Sequence, residues 1–165
     1  MRAIIRLIEG LSIGGAFLSA AGMLFIVGLV VIEIILRAVL NTSTLVSSEY
    51  GGYALVFLIL TGLAYTMKED GLIRINLLTS HFSKKGKRIA DVISGLLGAA
   101  ITGFALYFTV QMVYETWDLE MTADTIAETP LWIPQLAIPV GLALLLLQII
   151  AFIARRASEE TTDDK

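Results

Sequence analysis

Long apolar stretches alternate along the chain with short charged ones. Crossing a bilayer as a helix takes roughly 20 apolar residues at about 1.5 Å each. Four runs reach that length: Leu11–Leu36, interrupted only by Glu33, and the uncharged Tyr50–Met67, Val92–Tyr114 and Leu131–Ile153. The pattern predicts an all-α integral membrane protein with four transmembrane helices, and residues 1–165 read as a single four-helix membrane domain. Arg2 and Arg6 precede the first run and Leu18-Ser19-Ala20 is loosely like a cleavage site. A secretory signal, however, has an apolar core of only about 7–15 residues. The run continues to Leu36, so a retained first helix is expected.

The segments flanking the spans carry their own periodicity. Residues 2–9 set Ile4, Ile5 and Ile8 on one side of a helical turn and Arg2, Arg6 and Glu9 elsewhere. That pattern suits a short amphipathic helix in the membrane interface, or a plain extension of the first span. Residues 72–82 mix Leu72, Ile73, Ile75, Leu77, Leu78 and Phe82 with charges, too apolar for water and too interrupted to span. A second interfacial segment, or one wedged against a partner, is expected there. Trp117 and Trp132 bracket the loop between spans three and four, as tryptophans at a membrane surface do.

Composition agrees with lipid as the solvent. The chain is 56% hydrophobic and 16% charged, against about 45–50% and about 25% in soluble domains. It has no cysteine, and His81 is its sole histidine. Disulfides, thiol redox chemistry, Cys/His zinc sites and bis-histidine haem ligation are therefore not expected, nor is any other cofactor. With 12 basic and 15 acidic residues the balance does not suit nucleic acid.

Orientation follows from the basic residues of the short loops. Arg2, Arg6, Lys68, Arg74, Lys84, Lys85, Lys87, Arg88, Arg155, Arg156 and Lys165 fall on one side, leaving Arg37 for the other. Both termini are thus expected to be cytoplasmic. The opposite side carries Glu49, Glu115, Asp118, Glu120, Asp124 and Glu128. The cluster Lys84, Lys85, Lys87, Arg88 reads as a topology anchor or as a contact for anionic lipid headgroups; Trp117 and Trp132 are further candidate lipid contacts.

An ionisable group at membrane depth is a functional candidate by default, and Glu33 is the one this chain offers. Arg37 follows by four residues, the favourable order for a pair on one helical face. Near the outer end of span one, the pair reads as a structural cap, as a polar contact to a neighbouring subunit, or as a proton relay. In span four, Pro130 or Pro134 fits a first helical turn, whereas Pro139 leaves the carbonyl of Gln135 without its donor and can kink the helix. In span three Gly95, Ala99 and Gly103 recur every four residues, a stripe suited to close helix packing. No internal repeat is evident, and a secondary transporter usually builds its midplane site from interrupted helices in repeated halves. The residues thus describe a packing subunit rather than a solute pathway. The rival reading is a small four-helix proton-coupled exporter acting as a homodimer, with Glu33 as its site; an enzyme lacks a nucleophile–base or metal constellation.

Several residues, taken in order, carry a family likeness. They are Glu33 and Arg37 ending span one, Asn41, Glu49 opening span two, Gly62, Lys68, and the stretch Ile73-Arg74-Ile75-Asn76-Leu77-Leu78. Span four opens with Leu131-Trp132-Ile133-Pro134 and continues through Ile138-Pro139-Val140-Gly141. Over nearly its whole length the chain resembles the small membrane subunit (DctQ-like, or Q subunit) of tripartite ATP-independent periplasmic (TRAP) transporters.

The resemblance implies a division of labour. A periplasmic substrate-binding protein captures an organic acid, a large membrane subunit (M subunit) moves it, usually on a sodium gradient, and the small subunit is a scaffold in the inner membrane of a bacterium or archaeon. In that setting Glu33, Arg37 and Glu49 are expected to form an outer polar contact toward a partner. Arg74, Pro134 and Pro139 are further candidate structural or partner contacts, and residues 2–9 and 72–82 are expected to anchor the scaffold in the membrane surface.

Overall fold

The computed structural model describes residues 2–69 and 84–158, with the side chains of residues 5–69 and 86–156. The interfacial segment expected at 72–82, Arg74 within it, and the side chains of Lys84 and Lys85 lie outside the described residues. Helix α1 spans Arg2–Leu40, α2 Ser47–Lys68, α3 Lys84–Asp118, α4 Trp132–Gln135 and α5 Ala137–Ser158. Among the described residues four stretches are long and apolar enough to cross a membrane: Ile5–Leu40, Ser47–Lys68, Gly86–Asp118 and Trp132–Arg156.

The helices outrun the apolar stretches that announce them. At about 1.5 Å per residue, α1 is about 58 Å long and α3 about 52 Å, whereas α2 and α5 are each about 33 Å, close to one bilayer core. Residues 2–9 are the opening turns of α1, continuous with the span. The separate interfacial helix expected there is thus replaced by an extension of the first span: nothing in 2–9 breaks a helix, and Gly10 alone costs too little to end one.

α1 packs on α2 and touches α5, α2 packs on α5, and α3 packs on α5. The order across the array is therefore α1, α2, α5, α3, with the short helices inside and the long ones outside. Pairings fix the directions. Ser12 meets Gln148, Glu9 pairs with Arg155 and Asp91 with Arg156, so α1 and α3 both run against α5. Gly22 lies beside Ala54 and Leu58 while Gly15 lies beside Thr61, so α2 also runs against α1.

What holds these helices together is mostly small or polar. Beside Ile8 and Ile149, the buried set includes Ser12, Thr61, Ala64, Thr102, Gln148 and Ala151, while Leu7, Phe17, Leu24, Leu97, Ile101 and Phe104 are exposed. This inverts a water-soluble core, because lipid tails already solvate leucine and helix association rests on close backbone approach. On α1 the inward seam is Ser12, Gly15, Ser19 and Gly22. A Cβ at Gly15 would stand 2.5 Å from the carbonyl oxygen of Thr61, and Ser19 Oγ donates to Leu58 O at 2.7 Å. Gly141 of α5 lies so close to Leu60 of α2 that a Cβ would stand 2.8 Å from its carbonyl oxygen. The stripe read on span three packs only in part: a Cβ at Gly95 would meet Ile153 at 2.7 Å, whereas around Gly103 there is nothing within 4 Å.

Span four divides where its prolines require. Pro134 sits in the first turn of α4, where Ile133 N donates to Pro130 O and no amide is missed. Pro139 has no amide for Gln135 O, and the helix is interrupted at Leu136, whose backbone stays helical at φ −56° and ψ −26°. Leu136 N still bonds Trp132 O at 3.1 Å and Val140 N bonds Leu136 O at 3.3 Å. The result is a break in the hydrogen-bond ladder, not a loop.

Candidate functional site: two polar clusters at one end of the array

Asn41 ends α1 in the left-handed region at φ 46°, a conformation asparagine tolerates better than most residues. The chain then doubles back toward α2 through residues 42–46. This return brings Ser43 and Thr44 against Glu33, about two turns before Asn41. The carboxylate accepts from Arg37 Nε at 2.7 Å, Ser43 Oγ at 2.5 Å, Thr44 N at 3.1 Å and Thr44 Oγ1 at 2.6 Å. Its side chain is 9% exposed and that of Arg37 is 67% exposed. Four donors around one carboxylate satisfy a charge that burial would otherwise penalise. Glu33 thereby fastens the loop to the helix.

The loop carries strain that this fastening holds in place. Leu45 has φ 60°, unfavourable for a branched side chain, and its amide donates to Ser43 Oγ at 3.2 Å. A groove of about 510 Å³ opens beside the cluster, lined among others by Val30, Glu33, Arg37, Leu45 and Ser48.

Glu49 belongs to a second cluster. Tyr53, one turn on, donates to its Oε1 at 2.9 Å, and the hydroxyls of Thr125 and Thr129 face it. Its Oε2 is buried without a hydrogen-bond partner. Tyr50 OH lies 3.3 Å from Thr129 Oγ1. Glu33 and Arg37 thus bind the loop before α2, while Glu49 faces the loop before α4, which Tyr50 meets at Thr129, and the structure brings the two carboxylates to the same end beside different loops.

The loop before α4 is compact. Met121 N donates to Thr116 O, Leu131 N to Met121 O, and Ala123 N to Thr129 O at 2.9 Å, with an antiparallel bridge between Thr122 and Pro130. Trp117 closes α3, 57% exposed and 6.1 Å from the Tyr114 ring. Trp132 opens α4, so both tryptophans stand at this end.

The opposite end carries ion pairs. Glu9 pairs with Arg155, Arg156 Nε lies 3.2 Å from Asp91 Oδ2, and Lys68 Nζ stands 5.4 Å over the Tyr65 ring. The basic residues counted in the sequence as topology anchors therefore also tie α5 to α1 and α3. Lys87 is exposed and Arg88 half-buried at the start of α3.

Several of these residues were not legible as site residues. Ser43 and Thr44 are loop hydroxyls with no pattern of their own, and Ser12 and Gln148 lie 136 residues apart. The spacing of Ser12, Gly15, Ser19 and Gly22 was the available signal for the α1 seam. Among the described residues no group of three potential metal-ligating acidic or histidine side chains comes together. The chemistry this end supplies is hydrogen bonding and charge, suited to fixing loops and meeting another surface.

Against curated proteins the chain finds no match. Residues 26–159, most of the length and all of the features just described except the α1 seam and the Glu9 pair, match the family of tripartite ATP-independent periplasmic transporters, DctQ component. That is a family of transporter components and not of enzymes, and the chain, a multi-pass membrane protein, belongs to it.

Proposed function

We propose that this chain is the small accessory and scaffold subunit of a TRAP-type secondary transporter for organic acids, and that it catalyses no reaction. A periplasmic substrate-binding protein captures the substrate, and a separate large membrane subunit moves it on a sodium gradient. The present chain gives that subunit a fixed reference in the inner membrane of a bacterium or archaeon, with both termini cytoplasmic. Glu33, Arg37 and Glu49 then stand on the periplasmic side, where they shape the loops that a partner meets.

One observation carries this reading: Ser12, Ser19, Thr61 and Thr109 spend their hydroxyls on hydrogen bonds within the array. Ser12 binds Gln148, Ser19 binds Leu58 O, and Thr61 and Thr109 return their hydroxyls to Phe57 O and Ala105 O. The first two bonds join neighbouring helices and the last two close back on their own helix, so these hydroxyls do not line a polar route. The homodimeric exporter needs Glu33 near the membrane middle, whereas this residue lies in the last two turns of α1 and is held by the following loop.

The test is purification of the tagged chain from its native membrane in mild detergent, followed by mass spectrometry. A stoichiometric larger polytopic protein is the expected companion. A chain recovered alone or only with itself would overturn the proposal, and proton-coupled efflux with Glu33→Gln as control would then be the measurement to make.

A further inference from the structure

The outward faces of the two long helices differ in chemistry. Between Leu7 and Ile35, α1 turns outward Leu11, Phe17, Leu24, Val31 and similar apolar side chains, a surface that lipid tails solvate fully. On α3 the outward face carries Tyr107 and Tyr114, 60% and 61% exposed, with Gln111 exposed between them. Gln111 Nε2 donates to Tyr107 OH at 3.1 Å.

Gln148 is buried and bonded to Ser12, and Gln135 lies in α4 at the membrane end, so of the chain's glutamines Gln111 is the one presented outward from a span. It stands six residues, about 9 Å, before the interfacial Trp117, and Tyr107 about 15 Å before it, near the midplane of an about 30 Å core. The pair satisfies one donor and leaves the amide oxygen and the phenolic proton facing hydrocarbon, where neither finds water. Gly103, Tyr107, Gln111 and Tyr114 lie within an arc of about 80° at the helical 100° per residue. This arc points away from Gly95, Gly98 and Thr102, the positions turned toward α5 or buried. Beside Gly103 there is open space out to 4 Å.

We infer that the Gly103–Tyr107–Gln111–Tyr114 face of α3 docks a transmembrane helix of the large membrane subunit, whose polar side chain or exposed carbonyl pairs with Gln111, while the outward face of α1 is left to lipid. The inference rests on the accessory-subunit reading and adds the surface through which it works. The polar atoms of Gln111 and Tyr107 favour a protein helix over lipid, because an acyl chain offers Gln111 no hydrogen bond.

Two experiments on the full chain in its native membrane test it. In the first, p-benzoylphenylalanine replaces Tyr107, or Phe17 of α1 as control, and irradiation is followed by mass spectrometry. Adducts of the large subunit from position 107 and lipid adducts alone from position 17 are expected. Protein adducts from 17 and not 107, or from neither position although the large subunit co-purifies, would overturn the assignment and leave the accessory role standing. If no large subunit accompanies the wild-type chain, the accessory reading fails and the inference with it. In the second, Gln111→Leu is expected to weaken association with the large subunit by about 3- to 20-fold, the range of one interhelical hydrogen bond. On a lipid face that substitution would leave recovery unchanged, which would overturn the inference. Equal thermal stability of the isolated variant and wild-type chains in detergent separates lost docking from lost folding.

Discussion

Ser12 of α1 and Gln148 of α5, 136 residues apart, are joined by a 3.0 Å hydrogen bond, and both are almost wholly buried. The hydroxyl has an alternative acceptor in Ile8 O at 3.1 Å, so losing the glutamine does not strand it. The amide has no such substitute on its own helix. Ser12→Ala is therefore expected to cost about 0.6 kcal/mol and at most about 1.7. In a double-mutant cycle with Gln148→Leu, the pair should be less destabilised than the sum of the single variants. Unfolding in mixed micelles measures this, and strict additivity would show that the two side chains do not interact.

Glycines of α1 and α5 should divide sharply by position. Gly15→Val and Gly141→Val place side-chain atoms where Thr61 and Leu60 already stand, and each should separate the helices and abolish a cooperative melting transition. Gly14→Ala and Gly28→Ala meet nothing within 4 Å and should raise stability by up to about 1 kcal/mol through helix propensity. Thermal denaturation in detergent checks both halves.

At the end of α1, Glu33→Ala should release the loop of residues 41–46, seen as faster proteolytic cleavage there. Arg37→Ala should accelerate it less, because it removes one of four donors and the guanidinium is mostly exposed. Equal cleavage rates for the two variants would mean that the carboxylate does not organise the loop.

Pro139→Ala should restore a donor to Gln135 O and join α4 to α5. The amide at position 139 is then expected to exchange slowly with deuterium, at a rate close to that of Val140. Fast exchange at 139 would place the cause of the interruption at Leu136 elsewhere than in the missing amide.

The four spans were plain in the sequence because about 20 apolar residues have few other uses. Their ends were less so: α1 reaches back to Arg2 and α3 to Lys84, since a helix continues through charged residues until a cap or breaker stops it, and Asn41 is such a stop. Which side of each helix packs was the harder question. In lipid the outward face is as apolar as the inward one, so hydrophobic periodicity says little. Spacing of small residues was the useful signal; of the α3 stripe Gly95 meets α5 while Gly103 has no neighbour within 4 Å inside the chain, and Ser12 and Gly15 passed unnoticed. The Glu33–Arg37 pair was legible from its i, i+4 spacing. Its loop donors were not, because Ser43 and Thr44 reach the carboxylate only through the left-handed turn at Asn41.

The scaffold role itself is tested most directly by transport in proteoliposomes containing the large membrane subunit, with substrate-loaded binding protein outside and an inward sodium gradient. Uptake is expected only when this chain is present, and proteoliposomes containing this chain alone should show none. Full uptake by the large subunit without this chain, or substrate movement by this chain alone, would contradict the account.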